Sequence, residues 1–177
     1  MWIKLDIDGI TMYFKIGSYC KPGEDPYHEG WCDVQLTLQG QGIDLDIAGC
    51  SLFYDEIDET LSSFENLIQG NITEAIDLGF MEPDFRIELN PGNKENECAY
   101  RREDWKCNDI HANFRIFLWN GVPTYSYLSL CLERDEILAF IIYLKVVTGQ
   151  ISRTEQSVQA LLNKGILVEY ERWRDYL

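Results

Sequence analysis

The sequence predicts an α+β fold in which antiparallel β-hairpins form a sheet or half-barrel with two main helices and a short C-terminal helix. Most strand-like segments are joined by short turns, whereas parallel strands would need long helical crossovers. Only a few segments space their apolar residues as one face of a helix. With 177 residues, 46% of them hydrophobic, the chain can bury a core, and we expect one domain over residues 1–177.

Alternating apolar and polar residues predict the hairpins. Asp8-Gly9 and Asn120-Gly121 are dipeptides that favour the positive φ angles of a type I′ turn. In the second hairpin, the alternation after Gly42 places Asp44 and Asp46 on the solvent face of a strand. The predicted strand pairs are residues 2–6 with 11–15, 34–38 with 43–47, 73–80 with 84–89, and 112–119 with 124–132.

Helical periodicity and stop signals predict three helices, over residues 55–69, 134–148 and 153–163. In the first, Ile57, Leu61 and Phe64 lie on one face at helical spacing, and Gly70 ends the helix. Its first turns carry four acids, where the helix dipole favours negative charge: Asp55, Glu56, Asp58 and Glu59. Residues 166–170 look strand-like, and residues 150–177 are a candidate C-terminal extension.

Negative charge is concentrated in one segment, residues 22–85. These 64 residues contain fifteen Asp and Glu but no Lys or Arg, and their charge equals the formal net charge of the whole chain, -15. The acids are interleaved with Val, Leu, Ile and Phe, so we expect them on the outer face of a folded structure rather than in a disordered tail. Such a local field of one sign favours a basic partner.

Composition also bears on location. The first ten residues lack the apolar core of a signal peptide, and no apolar run is long enough to span a membrane, so we expect a cytoplasmic protein that does not bind membranes. Reduced thiols are then expected for the six cysteines, although Cys98 and Cys107 flank a polar loop and could pair if oxidised.

The motif search predicts no catalytic residue, no metal site and no cofactor. Cys20, His28 and Cys32 are near in sequence, but their spacing matches neither a catalytic pair nor a four-ligand zinc site. Asp6 and Asp8 resemble the start of a calcium loop that is not continued. Phosphate-binding loops are missing, and the basic residues at 101, 102 and 106 are too few for a nucleic-acid interface.

The acidic segment is therefore the main candidate for a functional surface. An acidic surface raises the association rate with a basic protein and selects for it. The candidate contact residues are Asp44 and Asp46 on the second hairpin and Asp55, Glu56, Asp58 and Glu59 on the first helix. A charge that serves only solubility is the simpler alternative, and it predicts acids scattered over the fold.

Several stretches resemble the WapI-like family of small bacterial immunity-type proteins. They are residues 70–89, GNITEAIDLGFMEPDFRIEL, with the helix 57–68 before them, the strand 125–132 with the helix that follows, and residues 31–34, WCDV. The similarity covers about residues 30–150, and residues 151–177 depart from it. The resemblance implies a protein that neutralises a wall-associated, contact-dependent toxin by binding it, without a catalytic residue.

The function predicted from the sequence is a non-catalytic, cytoplasmic, immunity-like protein that binds a basic toxin domain through its acidic surface. Two alternatives remain open at this point. One is an acidic small-ligand-binding protein or enzyme with a site centred on a cysteine or on His28 or His111, and the other is an acidic housekeeping domain. The identity of the partner, the oligomeric state and the strand order do not follow from the sequence.

Overall fold

The computed structural model describes residues 1–17, 19–21, 30–81, 84–92, 109–118 and 126–169. In chain order the elements are β1 (Trp2–Ile7), β2 (Ile10–Ile16), β3 (Trp31–Gly40), β4 (Ile43–Phe53), α1 (Tyr54–Gln69), β5 (Ile76–Gly79), β6 (Phe85–Asn90), β7 (His111–Phe117), β8 (Tyr127–Leu132), α2 (Arg134–Val147), α3 (Gln156–Asn163) and β9 (Leu167–Val168).

These elements form two compact units. The first is Met1–Tyr54 with Ile142–Leu177, and the second is Asp55–Ile141. The first unit holds a sheet with the strand order β4-β3-β2-β1-β9, and the second holds a sheet with the order β5-β6-β7-β8. All pairings are antiparallel, and both sheets are open rather than closed into a barrel within the described residues. The predicted α+β class is confirmed.

Two tight turns set the register of the first sheet. Asp8 and Gly9 have φ angles of 51° and 82°, and Gln41 and Gly42 have φ angles of 50° and 81°. Positive φ at both central residues defines a type I′ turn, whose twist matches that of the flanking strands. Ile7 therefore pairs with Ile10. The first hairpin forms as predicted, and the second turns at Gln41-Gly42.

One face of the first sheet is the core of its unit. Alternate residues of β1, β2 and β3 on this face are fully or almost fully buried, and they are Ile3, Leu5, Ile7, Met12, Phe14, Ile16, Cys32, Val34, Leu36 and Leu38. The last residues of α2 pack on this face, where the ring of Tyr143 meets Phe14 edge-on at a centroid distance of 6.3 Å. Val158 of α3 and Leu167 of β9 are also buried.

The second unit packs helices on its four-stranded sheet through aromatic rings. Phe64 of α1 contacts Phe140 of α2 edge-on at 5.7 Å, and Phe140 lies 6.4 Å from Phe114 of β7. Phe114 stacks on Phe85 of β6 at 5.1 Å. Such pairs contribute about 0.5–1.5 kcal/mol each beyond the area that they bury. The apolar face of α1 predicted from the sequence is the face that enters this core.

Glycine ends the helices as the sequence predicts. Gly70 has a φ of 78°, its N–H donates to the carbonyl of Leu67, and the N–H of Asn71 donates to the carbonyl of Asn66. This pair of bonds is a Schellman motif, which requires a left-handed residue after the last helical turn. Gly149 ends α2 in the same way, with a φ of 72°.

Some predicted boundaries differ from the structure. β5 begins at Ile76 rather than at residue 73, and α3 begins at Gln156 rather than at residue 153. Both segments begin with polar residues, which the periodicity alone does not separate from the element. The Asn120-Gly121 turn, the loop at 93–108 and the tail beyond 169 lie outside the described residues. No described helix is long and apolar enough to cross a membrane.

Candidate partner-binding surface

The second hairpin places two of the predicted acids side by side on β4. Asp44 and Asp46 are exposed and alternate with the half-buried residues Ile43, Leu45 and Ile47. In the register, Asp44 lies opposite Gln39 and Asp46 lies opposite Thr37. The hydroxyl of Thr37 donates to Oδ1 of Asp46 at 3.2 Å, so this carboxylate is held in position on the sheet.

The polar face of the first sheet is divided by charge. Asp33, Asp44 and Asp46 lie on β3 and β4, two strands that contain no Lys or Arg. The basic residues of this face are Lys4 on β1 and Lys15 on β2. Each is engaged locally, because Lys4 lies 3.5 Å from Asp6 and Lys15 lies 5.3 Å from the ring centroid of Trp2. The β3–β4 side of this face is therefore acidic.

The four acids of α1 form a separate group on the second unit. Asp55 and Glu59 are exposed, and Glu56 and Asp58 are half-buried. Asp55, Asp58 and Glu59 share one helix face because residues three and four apart are neighbours. Glu56 has a structural role, since its Oε1 accepts the backbone N–H of Met81 at 2.6 Å and so ties the segment after β5 to the helix.

Asp44 and Asp46 lie on β4 of the first unit, and the four acids of α1 lie in the second unit. Asp44, Asp46, Asp55 and Glu59 are exposed, and the segment 22–85 that contains them has no Lys or Arg. Negative charge at the first turn of α1 also stabilises the helix, because it faces the positive end of the helix dipole. Asp44 and Asp46 have no such helical role.

A different surface, which the sequence analysis did not identify, covers the outer face of the second sheet. Arg115 donates to Glu88 at 2.5 Å and lies 5.6 Å from the ring centroid of Tyr127. Arg86 lies 3.6 Å from Asp77 and 5.9 Å from the ring centroid of Phe117. This face carries arginine and aromatic side chains, yet its charges are already paired. In the sequence, Arg86 and Glu88 alternate with apolar residues along β6, and this pattern indicates a charged outer face.

The described residues offer little for catalysis. Nδ1 of His111 lies 2.8 Å from the backbone oxygen of Asp109, and the residue is buried. The thiols of Cys20 and Cys32 donate to the backbone oxygens of Lys21 and Gly30, with distances of 3.5 and 3.9 Å. Within the described ranges, no group of three His, Cys, Asp or Glu side chains could hold a metal ion. His28, Cys98 and Cys107, and the basic residues at 101–106, lie outside those ranges.

The comparison with known families decides the assignment. Residues 3–152 match the model of the immunity protein WapI-like family, which is most of the chain. The chain belongs to the WapI-like immunity protein family. No curated protein and no solved structure matches it. Membership in the WapI-like family suggests an immunity protein with a non-enzymatic role.

The WapI-like match also corrects the extent of the resemblance. It begins at residue 3 and so includes the first hairpin, which the resemblance at about residues 30–150 left out. It ends at residue 152, before α3 and β9. These two elements are nevertheless part of the first unit, because β9 pairs with β1 through Trp2 and Ile3. The five-stranded sheet therefore combines WapI-like strands with a strand from outside the match.

Proposed function

We propose that this chain is a non-catalytic, cytoplasmic immunity protein that binds and neutralises a cognate bacterial toxin through its acidic surfaces. The match to the WapI-like family over residues 3–152 carries the proposal. The exposed acids of β4 and of α1 support a basic partner, because complementary charge steers association and disfavours acidic competitors. Neutralisation needs only that the bound protein cover the toxin's active site or substrate groove.

The two acidic groups are separate candidates for the contact. Asp44 and Asp46 lie on a strand whose backbone is fixed by the hairpin, and Asp55 and Glu59 lie on a helix held by the aromatic core of its unit. Both are rigid supports, which lowers the entropy cost of binding. The experiment therefore changes them one group at a time.

Protection is the direct test of the function. Toxin genes encoded beside this one are expressed with and without the chain, and growth is measured together with co-purification. We expect the chain to restore growth and to form a stable complex with one neighbouring toxin. Growth arrest that the chain does not relieve for any neighbouring toxin, with no complex formed, would contradict the proposal.

The steering role of α1 is tested by Asp55→Lys with Glu59→Lys. Glu56 is left unchanged because its carboxylate holds the backbone of Met81. We expect association with the toxin to slow by about tenfold at low salt, with a smaller effect on dissociation, because peripheral charges act mainly on the encounter. Stopped-flow or surface plasmon resonance at several salt concentrations measures both rates.

A matched control uses exposed acids at other helix starts, Asp135→Lys with Glu155→Lys. The control changes the net charge by the same amount and also removes acids near the starts of helices. Equal slowing in the control and in the α1 variant would show that only the total charge matters, and would remove α1 from the contact surface.

A further inference from the structure

On the outer face of the second sheet, like charges lie side by side in rows that cross the strands. Asp77 of β5 lies directly opposite Glu88 of β6, and Arg86 of β6 lies directly opposite Arg115 of β7. Residues directly opposite on paired strands share a face, and like charges in such positions destabilise a sheet. The fold therefore keeps an acidic row and a basic row that stability alone does not favour.

Diagonal contacts join the acidic row to the basic row. Arg86 lies 3.6 Å from Asp77. Arg115 donates to Oε2 of Glu88, and the same oxygen accepts the side-chain amide of Asn113 at 3.1 Å. A carboxylate can accept several hydrogen bonds, and a guanidinium can donate several. These contacts therefore hold the charged side chains in position without exhausting what they can bind.

Aromatic rings border the basic row on its other side. Phe117 of β7 lies opposite Tyr127 of β8, and their ring centroids are 5.9 Å apart. Arg86 lies 5.9 Å from the ring centroid of Phe117, and Arg115 lies 5.6 Å from that of Tyr127. Tyr127 is 48% exposed. Arginine and aromatic residues are enriched in protein–protein interfaces, so this face has the composition of a docking surface.

The two signs of charge on this face restrict the partner that fits it. An acidic surface would be repelled by Asp77 and Glu88, and a basic surface would be repelled by Arg86 and Arg115. A fitting partner carries an acidic row beside a basic row at the same spacing. A second copy of this chain has that pattern by construction.

We propose that two copies of this chain associate through the outer faces of their second sheets. A two-fold axis that runs between the acidic and basic rows, parallel to them, sets the acidic row of each copy on the basic row of the other. Arg86 of one copy then meets Glu88 of the other, and symmetry repeats the contact. Such an interface is isologous, because the same patch of both subunits is used and is complementary to itself.

The net charge of the chain favours the same face. At a formal net charge of -15, two copies repel each other over most approaches. A face taken from the acidic segment 22–75 would add to this repulsion. The acidic and basic rows contain two acids and two arginines, so together they carry no net charge. Close approach of a second copy is therefore least opposed here.

This association leaves the acids of α1 accessible to another protein. Through Phe64, α1 belongs to the aromatic core on the opposite face of the same sheet, which also contains Phe114 and Phe140. A dimer through the outer face would therefore present the α1 acids twice. The inference does not depend on the immunity role.

The first test measures association of the full-length protein and of two matched variants. Sedimentation velocity from micromolar to millimolar concentration should show a concentration-dependent dimer. Arg86→Glu and Glu88→Lys each place like charges across the interface, so we expect each to raise the dimer dissociation constant by about tenfold or more. An equimolar mixture should dimerise again, because the new carboxylate of one chain meets the new amine of the other.

Two results of this test would contradict the proposal. One is a wild-type protein that stays monomeric at every concentration. The other is a Glu88→Lys variant that dimerises more tightly than the wild type. This variant is less negative than the wild type, so tighter association would show that total charge governs contact between copies rather than the two rows.

Gly79 offers variants that keep every contact of this face. It lies on β5 opposite Arg86, and a Cβ added there would meet nothing within 4 Å. In the dimer it would face Asp77 of the other copy. We expect Gly79→Lys to strengthen association and Gly79→Glu to weaken it, each by about threefold or more. The same two changes at the exposed Gln156 are the control, and equal effects at both positions would refute the interface.

The toxin experiment keeps this inference distinct from the proposed function. If Arg86→Glu is monomeric and still neutralises the toxin, both proposals hold. If it leaves self-association unchanged but abolishes toxin binding, this face contacts the toxin and the dimer proposal is wrong. If the wild type dimerises while no neighbouring toxin is neutralised, the interface stands and the immunity proposal fails.

Discussion

The two edges of the first sheet are built differently. β9 is two residues long, and Leu167 within it is 1% exposed. α3 precedes β9 directly and contacts it, and Arg153 lies 3.6 Å from Glu169 just beyond the strand. β4 is eleven residues long, carries exposed acids and leaves Leu45 half-buried. One edge strand is short and has a buried leucine, and the other is long and charged.

This difference separates stability from recognition. A short edge strand offers few backbone groups to another strand, and its buried leucine contributes to the core. A long edge strand with exposed acids contributes less apolar burial, and its charge disfavours unselective pairing with other strands. In the described strand order, the short edge strand β9 lies outside the family match and the long edge strand β4 lies within it. Three changes test this contrast, from the largest expected effect to the smallest.

Leu167→Ala should have the largest effect on the free energy of unfolding, and Leu45→Ala is its matched control. Truncating a fully buried leucine costs about 2–5 kcal/mol, because transfer free energy is lost and a cavity remains. Leu45 is half-exposed, so we expect its truncation to cost clearly less. Urea unfolding of both variants measures the difference. Equal losses at the two positions would show that both edges serve stability alike.

Tyr143→Phe should have an intermediate effect on the free energy of unfolding. It concerns a backbone N–H at the end of β2. The hydroxyl oxygen of Tyr143 accepts the N–H of Ile16 at 2.6 Å, at the end of β2 where β1 no longer pairs with it. Without the hydroxyl this buried N–H loses its acceptor, at a cost of about 1–3 kcal/mol. Thermal and urea unfolding measure the loss. An unchanged stability would mean that water replaces the hydroxyl, as at an exposed edge.

The same residue predicts a pH dependence with a definite sign. Burial raises the pKa of the Tyr143 hydroxyl above its usual value, although the hydrogen bond from Ile16 partly opposes this. Its contribution to stability is therefore complete below the unfolded pKa of about 10 and is lost as the pH rises towards the folded pKa. In that window the wild type should lose up to about 1.4 kcal/mol per pH unit more than Tyr143→Phe. Parallel pH profiles would contradict this assignment.

Local signals in the sequence predicted most elements of this fold. Asp8-Gly9 has the turn conformation that its composition favours, and Gly70 ends α1 by the bonds expected of a C-terminal glycine. The alternation of residues 43–47 correctly placed Asp44 and Asp46 on the solvent face. These outcomes depend on residues within one turn of each other, so a single sequence contains the information.

Contacts between distant segments were not predictable in the same way. Nothing near Leu167 in the sequence indicates that it pairs with Ile3, and the bond between Ile16 and Tyr143 joins residues 127 positions apart. The edge position of β4 also follows from the strand order, which depends on all pairings at once. The sequence therefore predicted the exposure of Asp44 and Asp46 but not the position of β4 at the end of the described strand order.

Asp44→Asn with Asp46→Asn should have the smallest effect on stability. Both side chains are exposed, and asparagine keeps an oxygen that can accept the hydrogen bond from Thr37. Substitutions at exposed positions without special backbone geometry usually change the free energy of unfolding by less than about 0.5 kcal/mol. Urea unfolding tests this directly. The affinity for a basic partner, which the proposed function expects to fall, is measured on the same samples. A large destabilisation would show that the carboxylates hold the hairpin together, and their exposure would then need no partner to explain it.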